Sequence, residues 1–550
     1  MRKMMLWQWA LLVLVIVGAF LLRWHDFSRI FLWLDDTDFF NENLYGSHPK
    51  SLLDYALTTR DATTNTWGWP AILWMACRLF GATLQVARGC SLAAGTAAVA
   101  AVFVLVYRLL PEEGSGSRFA PAIAAATLTA ISMPQMEFSQ RLFPYAVVPL
   151  AASLLISAHL GAHLGLLRAL TGGEGLARPM AYYTIAGAFA ACAHPSLNLL
   201  LAASVLLLGL HAFFLTRTTH SLCAFSLMRT THSLCAARAL QRRPPAERFR
   251  FFCAAVPAAL VLLAAIASNA KNPRFGYRIY LTGYYHSLSL RSIPKLIAHG
   301  YDLLTYHLNL FYNPALYWPE RWNWALLPLV LLCLWGWWRA SSGQFGFEAR
   351  ELGRFALLAM SIPAALSFAG MFPFGGVRQT LILSPFLLAF TALGFYSLFA
   401  RPATLALAAT LAAAYLAAWA YNVPRFYADR VSAYNAEDIL QVWRAEGRPS
   451  AIYSRGSERE LGYMLRRHPE IHIHSLDKDQ KPPYLLVSAH WPPLETNSMF
   501  AGYAEYLRQA GYRATLVMEK PPVYFQNLEE YRTSLYYPAN DLWIYKVTAP

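Results

Sequence analysis

Residues 5–22 read MLWQWALLVLVIVGAFLL, a run without a charged side chain that directly follows Met1-Arg2-Lys3. A helix needs about 20 consecutive apolar residues to cross a bilayer, and this run comes close to that length. It lacks a small-residue cleavage site, so we interpret it as an uncleaved first membrane span and not as a signal peptide.

Similar charge-free runs recur through the first 424 residues and predict further spans. They cover residues 89–107, 119–136, 144–167, 251–270, 322–338, 355–372, 379–400 and 402–424. The 38 residues between Arg178 and Arg217 carry no charge; at 1.5 Å per residue they extend about 57 Å, enough for two crossings. His194-Pro195 predicts the break between those two. Residues 62–77 are short and interrupted by Trp and Pro, which favours an interfacial or re-entrant helix. The prediction is eleven spans.

The composition excludes most other classes of protein. Of 550 residues, 56% are apolar and only 14% are charged, whereas a soluble chain carries roughly 25% charge. The 17 Trp, 30 Tyr and 32 Phe exclude a disordered chain. The net charge of +15 would fit nucleic acid binding, but basic residues beside membrane spans explain it better, so we expect membrane lipids and no nucleic acid as partners.

Arginines at the span exits predict the orientation. An Arg lies at or just past the end of every even-numbered span, at Arg108, Arg168, Arg217, Arg339 and Arg401. Cytoplasmic loops carry the excess of Lys and Arg, so we expect a cytoplasmic N-terminus in a bacterial inner membrane. Two long outer loops then cover residues 23–88 and 271–321. An odd number of spans places residues 425–550 outside, where the absence of Cys excludes a disulfide.

Residues 425–550 are predicted to form a separate extracytoplasmic α/β domain. Strand-like runs cover residues 450–454, 471–475, 484–489, 514–519 and 542–547, with helical runs at 436–446, 458–467 and 500–510. This alternation favours a mostly parallel sheet covered by helices. A Gly-rich phosphate loop is lacking, so we expect a domain that binds an acceptor or covers an active site, and not a second enzyme.

The first outer loop carries the most informative residues. It reads FLWLDDTDF over residues 31–39, with carboxylates at Asp35, Asp36 and Asp38. Like charges at this spacing raise the pKa of one of them, which suits a general base. A solvated acidic loop or a divalent-cation site would show the same pattern. No cofactor or metal is predicted here, although a divalent cation at Asp35 and Asp36 stays open.

Several further motifs follow in a fixed order along the first 424 residues. They are Trp33-Leu34-Asp35-Asp36, Trp67-Gly68-Trp69-Pro70, Leu79-Phe80-Gly81 with Arg88, Val106-Tyr107-Arg108, Phe138 to Tyr145, His194, and Phe374-Gly375-Gly376-Val377-Arg378-Gln379. Together they resemble the GT-C class of membrane glycosyltransferases, which includes protein O-mannosyltransferases and the lipid A aminoarabinose transferase. The chain departs from the class in three places. Asp36 replaces Glu, Phe143 occupies the position of an Arg, and Asn65 and Thr66 lie where relatives carry Lys or His.

The resemblance implies a hexosyl- or pentosyltransferase that moves a sugar from a polyprenyl-phosphate-linked donor to a glycan, lipid or protein acceptor outside the membrane. It implies that Asp35 is the general base and that Asp36 assists it. Donor-phosphate contacts would come from Arg378, Arg60 and Arg141, and substrate contacts from Asp38, Trp67, Tyr145 and His194.

Simpler roles stay open for three of these residues. Arg378 could be an interfacial side chain that snorkels to the membrane surface. His194 could be a packed, hydrogen-bonded side chain. Arg141 could form an ion pair with Glu137, one helical turn earlier. The alternative functions are a transporter or flippase of a lipid-linked or polar substrate, and a non-catalytic scaffold, which would leave the Asp cluster unexplained.

Overall fold

The structure is a computed structural model of the chain. It describes residues 4–27, 39–40, 44, 50–63, 66–110, 115–170, 177–217, 263, 293–308, 324–369, 372, 374–375, 378–400, 402–428, 434–449, 451–454, 458–476, 481–489, 498–520 and 542–549. Apart from residue 263, the predicted span 251–270 lies outside the described residues, and so does most of the predicted loop 271–321.

The described part of residues 1–428 is helical. Its helices are α1 (Leu6–Trp24), α2 (Leu52–Thr63), α3 (Gly68–Phe80), α4 (Leu84–Leu109), α5 (Ser115–Ile131), α6 (Met133–Ser139), α7 (Val147–Leu170), α8 (Ala177–Ala193), α9 (Leu197–Arg217), α10 (Ile293–His307), α11 (Leu327–Ser341), α12 (Phe347–Phe368), α13 (Ser384–Phe399) and α14 (Pro402–Ala428). Short 3₁₀ turns precede three of them, at Pro144–Ala146, Trp324–Leu326 and Arg378–Leu383.

Six helices of the described residues are long and apolar enough to cross a membrane. They begin at Leu6, Leu84, Pro144, Phe347, Arg378 and Pro402 when the adjoining 3₁₀ turns are counted, and shorter apolar helices cover Arg118–Ile131 and Leu197–His211. These helices match runs predicted from the sequence, while the total of eleven spans stays a prediction. The interruption at His194-Pro195 is confirmed, because α8 ends at Ala193 and α9 begins at Leu197.

A buried arginine fixes the end of the first helix. Arg23 is fully buried, and its guanidinium donates to the carbonyls of Ala130 (3.1 Å) and Thr129 (3.2 Å) at the end of α5. Its Nε donates to Ser139 Oγ of α6 at 3.1 Å. A buried cation is tolerated only when its donors are satisfied, and here the partners are carbonyls that a helix end leaves unpaired. Arg23 therefore holds the same ends of α1, α5 and α6 together.

Helices α11 and α13 are in backbone contact through two glycines. A Cβ on Gly336 would lie 1.9 Å from the Phe390 carbonyl oxygen, and a Cβ on Gly394 would lie 2.2 Å from the Leu332 carbonyl oxygen. Small residues permit such close crossings between membrane helices. The contact places α13, which is buried along most of its length, at the centre of the bundle.

The region after α14 contains a five-stranded sheet with helices. Its elements are α15 (Ala436–Ala445), β1 (Ala451–Ser454), α16 (Glu458–Met464), β2 (His472–Ser475), β3 (Tyr484–Ala489), α17 (Ser498–Gln509), β4 (Arg513–Lys520) and β5 (Leu542–Thr548). The strand order is β2-β1-β3-β5-β4. β1 pairs in parallel with β2 and β3, whereas β5 pairs antiparallel with β3 and β4.

The prediction of a mostly parallel sheet holds for the direction of β1, β2, β3 and β4 and fails for β5 alone, and every strand lies within one residue of its predicted limits. Alternation of helices and strands ends after β4, and β5 then enters between β3 and β4 in the opposite direction. No helical run separates β4 from β5 in the sequence-based assignment, and a parallel crossover requires such a connection. The lack of a helical pattern in the sequence between residues 519 and 542 was the signal that β5 would not pair in parallel.

We expect Gly95→Ala to weaken the junction at Arg23. A Cβ on Gly95 of α4 would lie 1.9 Å from Ser139 Oγ and 3.3 Å from Arg23 Nε. Overpacking of this kind costs about 1–3 kcal/mol, so thermal unfolding in detergent should show a lower apparent Tm. Gly89→Ala on the same helix is the control, because a Cβ there has nothing within 4 Å. Equal stability of the two variants would contradict the described contact.

Candidate functional site

Three of the predicted site residues, Arg378, Tyr145 and His194, meet where helices end on the Arg23 side of the bundle. Arg378 begins the 3₁₀ turn before α13, and its guanidinium lies over the rings of Phe143 at 5.0 Å and Tyr145 at 5.3 Å. Both rings belong to the turn between α6 and α7. A guanidinium within 6 Å of an aromatic face is attracted by the ring quadrupole. These rings therefore set the position of the Arg378 charge.

His194 joins this group from the break between α8 and α9. Its ring lies 4.8 Å from that of Tyr145, and its Nδ1 lies 2.7 Å from Ser196 Oγ. The side chain is buried. Burial, and secondly the positive charge of Arg378, lower the pKa of His194 to about 3. His194 is consequently a neutral imidazole at physiological pH, beside the positive charge of Arg378.

Three of the predicted residues, Arg378, Tyr145 and His194, are thus brought together from separate parts of the chain. We call them, with Phe143, the arginine–aromatic cluster. The role of Phe143 was missed at the sequence level, because this position was noted only as a departure from the Arg of the GT-C motif. The ring at 143 lies under a guanidinium that comes from residue 378.

Arg141 is not part of this cluster in the described contacts. Its Nε and terminal nitrogen lie 3.1 Å and 3.0 Å from Glu137 Oε1, and both side chains are buried. This is the ion pair that the i, i+4 spacing predicted as the simpler role. It neutralises a carboxylate that would otherwise be costly to bury. A donor-phosphate role for Arg141 stays a prediction.

The start of α3 docks beside His194. Thr66 Oγ donates to the Cys192 carbonyl, and a Cβ on Gly68 would lie 2.4 Å from that same oxygen. Trp69 is buried, and its Nε1 donates to the Leu142 carbonyl at 2.7 Å. Trp67, the predicted substrate contact, is 49% exposed. The motif Trp67-Gly68-Trp69 therefore has one packed ring and one exposed ring.

Asp35, Asp36 and Asp38 lie outside the described residues, and so does the side chain of Arg60, whose backbone is in α2. The described residues that follow Asp38 in sequence are Phe39 and Phe40. The Phe39 ring lies edge-on to Phe143 at 6.0 Å, and the hydroxyl of Tyr55 donates to the Phe39 carbonyl. The acidic motif is therefore followed directly by a residue packed on the arginine–aromatic cluster.

The next residue reaches the region after α14. Phe40 lies edge-on to Tyr463 of α16 at 5.0 Å, and the guanidinium of Arg466 lies 3.9 Å from the centre of the Tyr463 ring. Phe39 and Phe40, which directly follow the acidic motif, thus contact the helical bundle on one side and the sheet-containing region on the other.

A second group of buried polar residues was not predicted from the sequence. His159, His163, His211 and Glu351 meet in the half of the bundle remote from Arg378. The available signal was the spacing His-x-x-x-His at residues 159 and 163 inside a charge-free run, which places both rings on one helix face.

The chain has no match among sequence-based family profiles, and no curated protein is similar in sequence. Solved structures do match. The archaeal oligosaccharyltransferase AglB from Archaeoglobus fulgidus, in complex with an inhibitory peptide and a dolichol-phosphate, is 14% identical with a TM-score of 0.47, over 92% of this chain and 69% of that chain. ArnT from Cupriavidus metallidurans bound to undecaprenyl phosphate is 10% identical with a TM-score of 0.45, over 99% of both chains.

Both neighbours are GT-C glycosyltransferases. This is the class that the sequence motifs resemble. Because the identities are at most 14% and the TM-scores lie below 0.5, the function of this chain has to be proposed from its own residues.

We expect His194→Gln to reduce the loss of folding stability that occurs as the pH falls below 6.5. The pKa of His194 is about 3 in the folded chain and near 6.5 when unfolded. Between these values the unfolded chain binds a proton that the folded chain does not, so stability falls as the pH drops below 6.5. This contribution is about 1.4 kcal/mol per pH unit. Apparent Tm values from pH 7 to pH 5 should therefore fall more steeply for wild type than for His194→Gln. Parallel curves would contradict the buried, neutral His194.

Proposed function

We propose that the protein is a membrane glycosyltransferase that uses a polyprenyl-phosphate-linked sugar. The observation that carries the proposal is the arginine–aromatic cluster, which places one fixed positive charge beside a neutral imidazole at the ends of membrane helices. A lipid-linked donor keeps its phosphate at headgroup depth, so a cation at this level can hold it. The Phe39 contact with Phe143 connects the end of the acidic motif to the same cluster.

Arg378 is the residue that we assign to the donor phosphate. Its guanidinium lies over two aromatic rings, and an Arg binds phosphate through its N–H groups. Contact with the rings restricts the position of the group in advance, which reduces the entropy lost on binding. A phosphate leaving group gains charge as its bond to the sugar breaks, and a fixed cation stabilises that charge.

Asp35 is proposed as the general base and Asp36 as its assistant. The acceptor oxygen attacks the anomeric carbon, the bond from that carbon to the phosphate oxygen breaks, and the polyprenyl phosphate leaves. The proton of the acceptor hydroxyl passes to Asp35. Asp38, Trp67, Tyr145 and His194 would contact the sugar or the acceptor. An acceptor that is a glycan, a lipid or a protein would supply the same hydroxyl or an amine.

The sheet-containing region is proposed to cover the acceptor side of the site. Support comes from the contact of Phe40 with Tyr463, directly after the acidic motif and Phe39. This arrangement requires residues 425–550 on the outer face, in keeping with a cytoplasmic N-terminus in a bacterial inner membrane. Membranes supplied with radiolabelled polyprenyl-phosphate hexoses and pentoses would test the proposal. Movement of the label to an acceptor supports a transferase, whereas intact labelled lipid that changes leaflet supports a flippase.

Arg378→Ala should raise the KM for the lipid-linked donor or lower kcat, while the protein stays folded. Arg378→Lys should recover only part of the activity, because a Lys cannot make the planar two-point contact with phosphate. Initial rates over a range of donor concentrations would measure both effects.

Arg78→Ala is the matched control for this experiment. Arg78 also lies over an aromatic ring, that of Trp74 at 5.0 Å, but it belongs to α3 and not to the arginine–aromatic cluster. We expect unchanged donor kinetics in this variant. If Arg378→Ala shows the same donor dependence as wild type, Arg378 has only an interfacial role.

Asp35→Asn should abolish turnover and leave donor binding and thermal stability near those of wild type. The change keeps the size of the side chain and removes the base, which contributes roughly 10²–10⁴-fold to the rate. Asp38→Asn should have a much smaller effect, since Asp38 lies outside the matched motif. Near-normal turnover of Asp35→Asn with an inactive Asp36→Asn or Asp38→Asn would move the assignment to another carboxylate. Activity of all three variants would count against the transferase.

A further inference from the structure

Four ionisable side chains converge inside the bundle, away from the arginine–aromatic cluster. They are His159 and His163 of α7, His211 of α9 and Glu351 of α12. His163 follows Tyr145 by 18 residues, so it lies about 27 Å further along the helix at 1.5 Å per residue. The group is therefore separate from the proposed site of glycosyl transfer.

One carboxylate oxygen faces all three imidazoles. Glu351 Oε1 lies 2.8 Å from His163 Nδ1, 3.3 Å from His211 Nδ1 and 3.6 Å from His159 Nε2. Within the described part of the chain, none of these four atoms makes a hydrogen bond of acceptable geometry. A carboxylate oxygen has two lone pairs, so it cannot accept from three rings at once. The nitrogens surround this oxygen without being directed at it.

Burial makes this arrangement costly without a further partner. The side chains of His159 and Glu351 are 0% exposed, and that of His211 is 12% exposed. Ionisable groups at membrane depth are rare and point to function. Arg354, at 3.6 Å from Glu351 Oε2, pairs with the other oxygen and leaves Oε1 facing the rings. A cation among the four atoms would satisfy all of them.

The separations suit a tetrahedral metal ion. Zn²⁺ binds His nitrogen at about 2.0–2.1 Å, and a tetrahedron of that size separates its ligand atoms by roughly 3.3 Å. The three distances to Glu351 Oε1, from 2.8 to 3.6 Å, bracket this value. His159, His163 and Glu351 already have their ligand atoms within 4.8 Å of one another. Three imidazoles with one carboxylate favour a transition metal over Ca²⁺ or Mg²⁺.

The surroundings of His159 fix the ring in the form that a metal needs. Its Nδ1 lies 2.8 Å from Ser204 Oγ, which lies 2.8 Å from the Tyr183 hydroxyl. When Nδ1–H donates to Ser204, Nε2 carries no proton and can bind a metal ion. Metal-binding His residues commonly use the second nitrogen in this way. Ser204 is a positioning residue in this arrangement.

We propose that His159, His163 and Glu351, whose ligand atoms already lie together, bind one divalent transition metal of the Zn²⁺ class, and that His211, with Nδ1 at 3.3 Å from Glu351 Oε1, moves in as the fourth ligand. All four ligands come from the protein, which is typical of a structural site and not of a catalytic one. The ion joins α7, α9 and α12 in the half of the bundle opposite Arg23. The site does not depend on the proposed transferase activity.

The full chain purified in detergent, stripped with a chelator and reloaded with Zn²⁺, tests the proposal by elemental analysis. We expect about one ion per chain, a higher apparent Tm with the ion, and a tetrahedral visible spectrum when Co²⁺ replaces Zn²⁺. His163→Ala and Glu351→Gln should lose the ion and the shift in Tm. His468→Ala, which removes a half-buried histidine near Glu470, should keep both.

Ser204→Ala keeps the experiment informative if the ligand variants fail to fold. It retains all four ligands, and loss of such a partner weakens metal binding by about 10- to 100-fold. A titration against a chelator of known affinity would measure that change. Wild-type protein without bound ion and without a Co²⁺ spectrum would overturn the proposal. So would equal metal content in wild type, His163→Ala and Glu351→Gln, since a network of shared protons alone would then explain the cluster.

Discussion

The bundle depends on how a buried positive charge is satisfied at helix ends. Arg23 donates to the last carbonyls of α5 and to the hydroxyl of Ser139, groups that need partners once they leave water. Two further side chains bind carbonyls at this end of α1. The amide of Gln140 donates to the Arg23 carbonyl at 3.1 Å, and the Tyr427 hydroxyl donates to the Leu22 carbonyl. Four separate segments thus end at one level, and this level is where the arginine–aromatic cluster begins.

The cluster uses a second arginine in a different way. Arg23 is enclosed by carbonyl oxygens, whereas Arg378 lies on the faces of two rings. The two rings hold the Arg378 guanidinium in place without neutralising its charge. The carbonyl and hydroxyl oxygens around Arg23 leave no room for an anion. Arg23 therefore joins helix ends, whereas Arg378 is suited to bind a phosphate. His194 stays neutral beside Arg378 and adds no competing charge.

The sequence predicted the parts of this structure that depend on local pattern. Charge-free runs indicated helices that the structure contains, and His194-Pro195 indicated the break between α8 and α9. Hydrophobic periodicity and turn residues predicted the limits of each strand to within one residue. The direction of β5 was not predicted, because pairing direction depends on a connection between β4 and β5 that has no helical pattern.

The candidate site was predicted in composition but not in geometry. Motif order identified Arg378, Tyr145 and His194, yet the ring of Phe143 beneath Arg378 comes from a contact between residues 235 positions apart in the sequence. The His159–Glu351 group was missed for the same reason, since its ligands come from three helices. Local patterns carry no information about which helices become neighbours.

The position of β5 has a consequence for the order of assembly. β5 follows both β3 and β4 in the chain and lies between them in the sheet. The ribosome therefore delivers this inner strand after both of its neighbours, and the edges of β3 and β4 that face it stay unpaired until then. The sheet-containing region closes only after the membrane helices that precede it have been synthesised. A chain that stops before β5 would leave one edge of β3 unpaired and β4 without a partner strand, and unpaired strand edges favour aggregation.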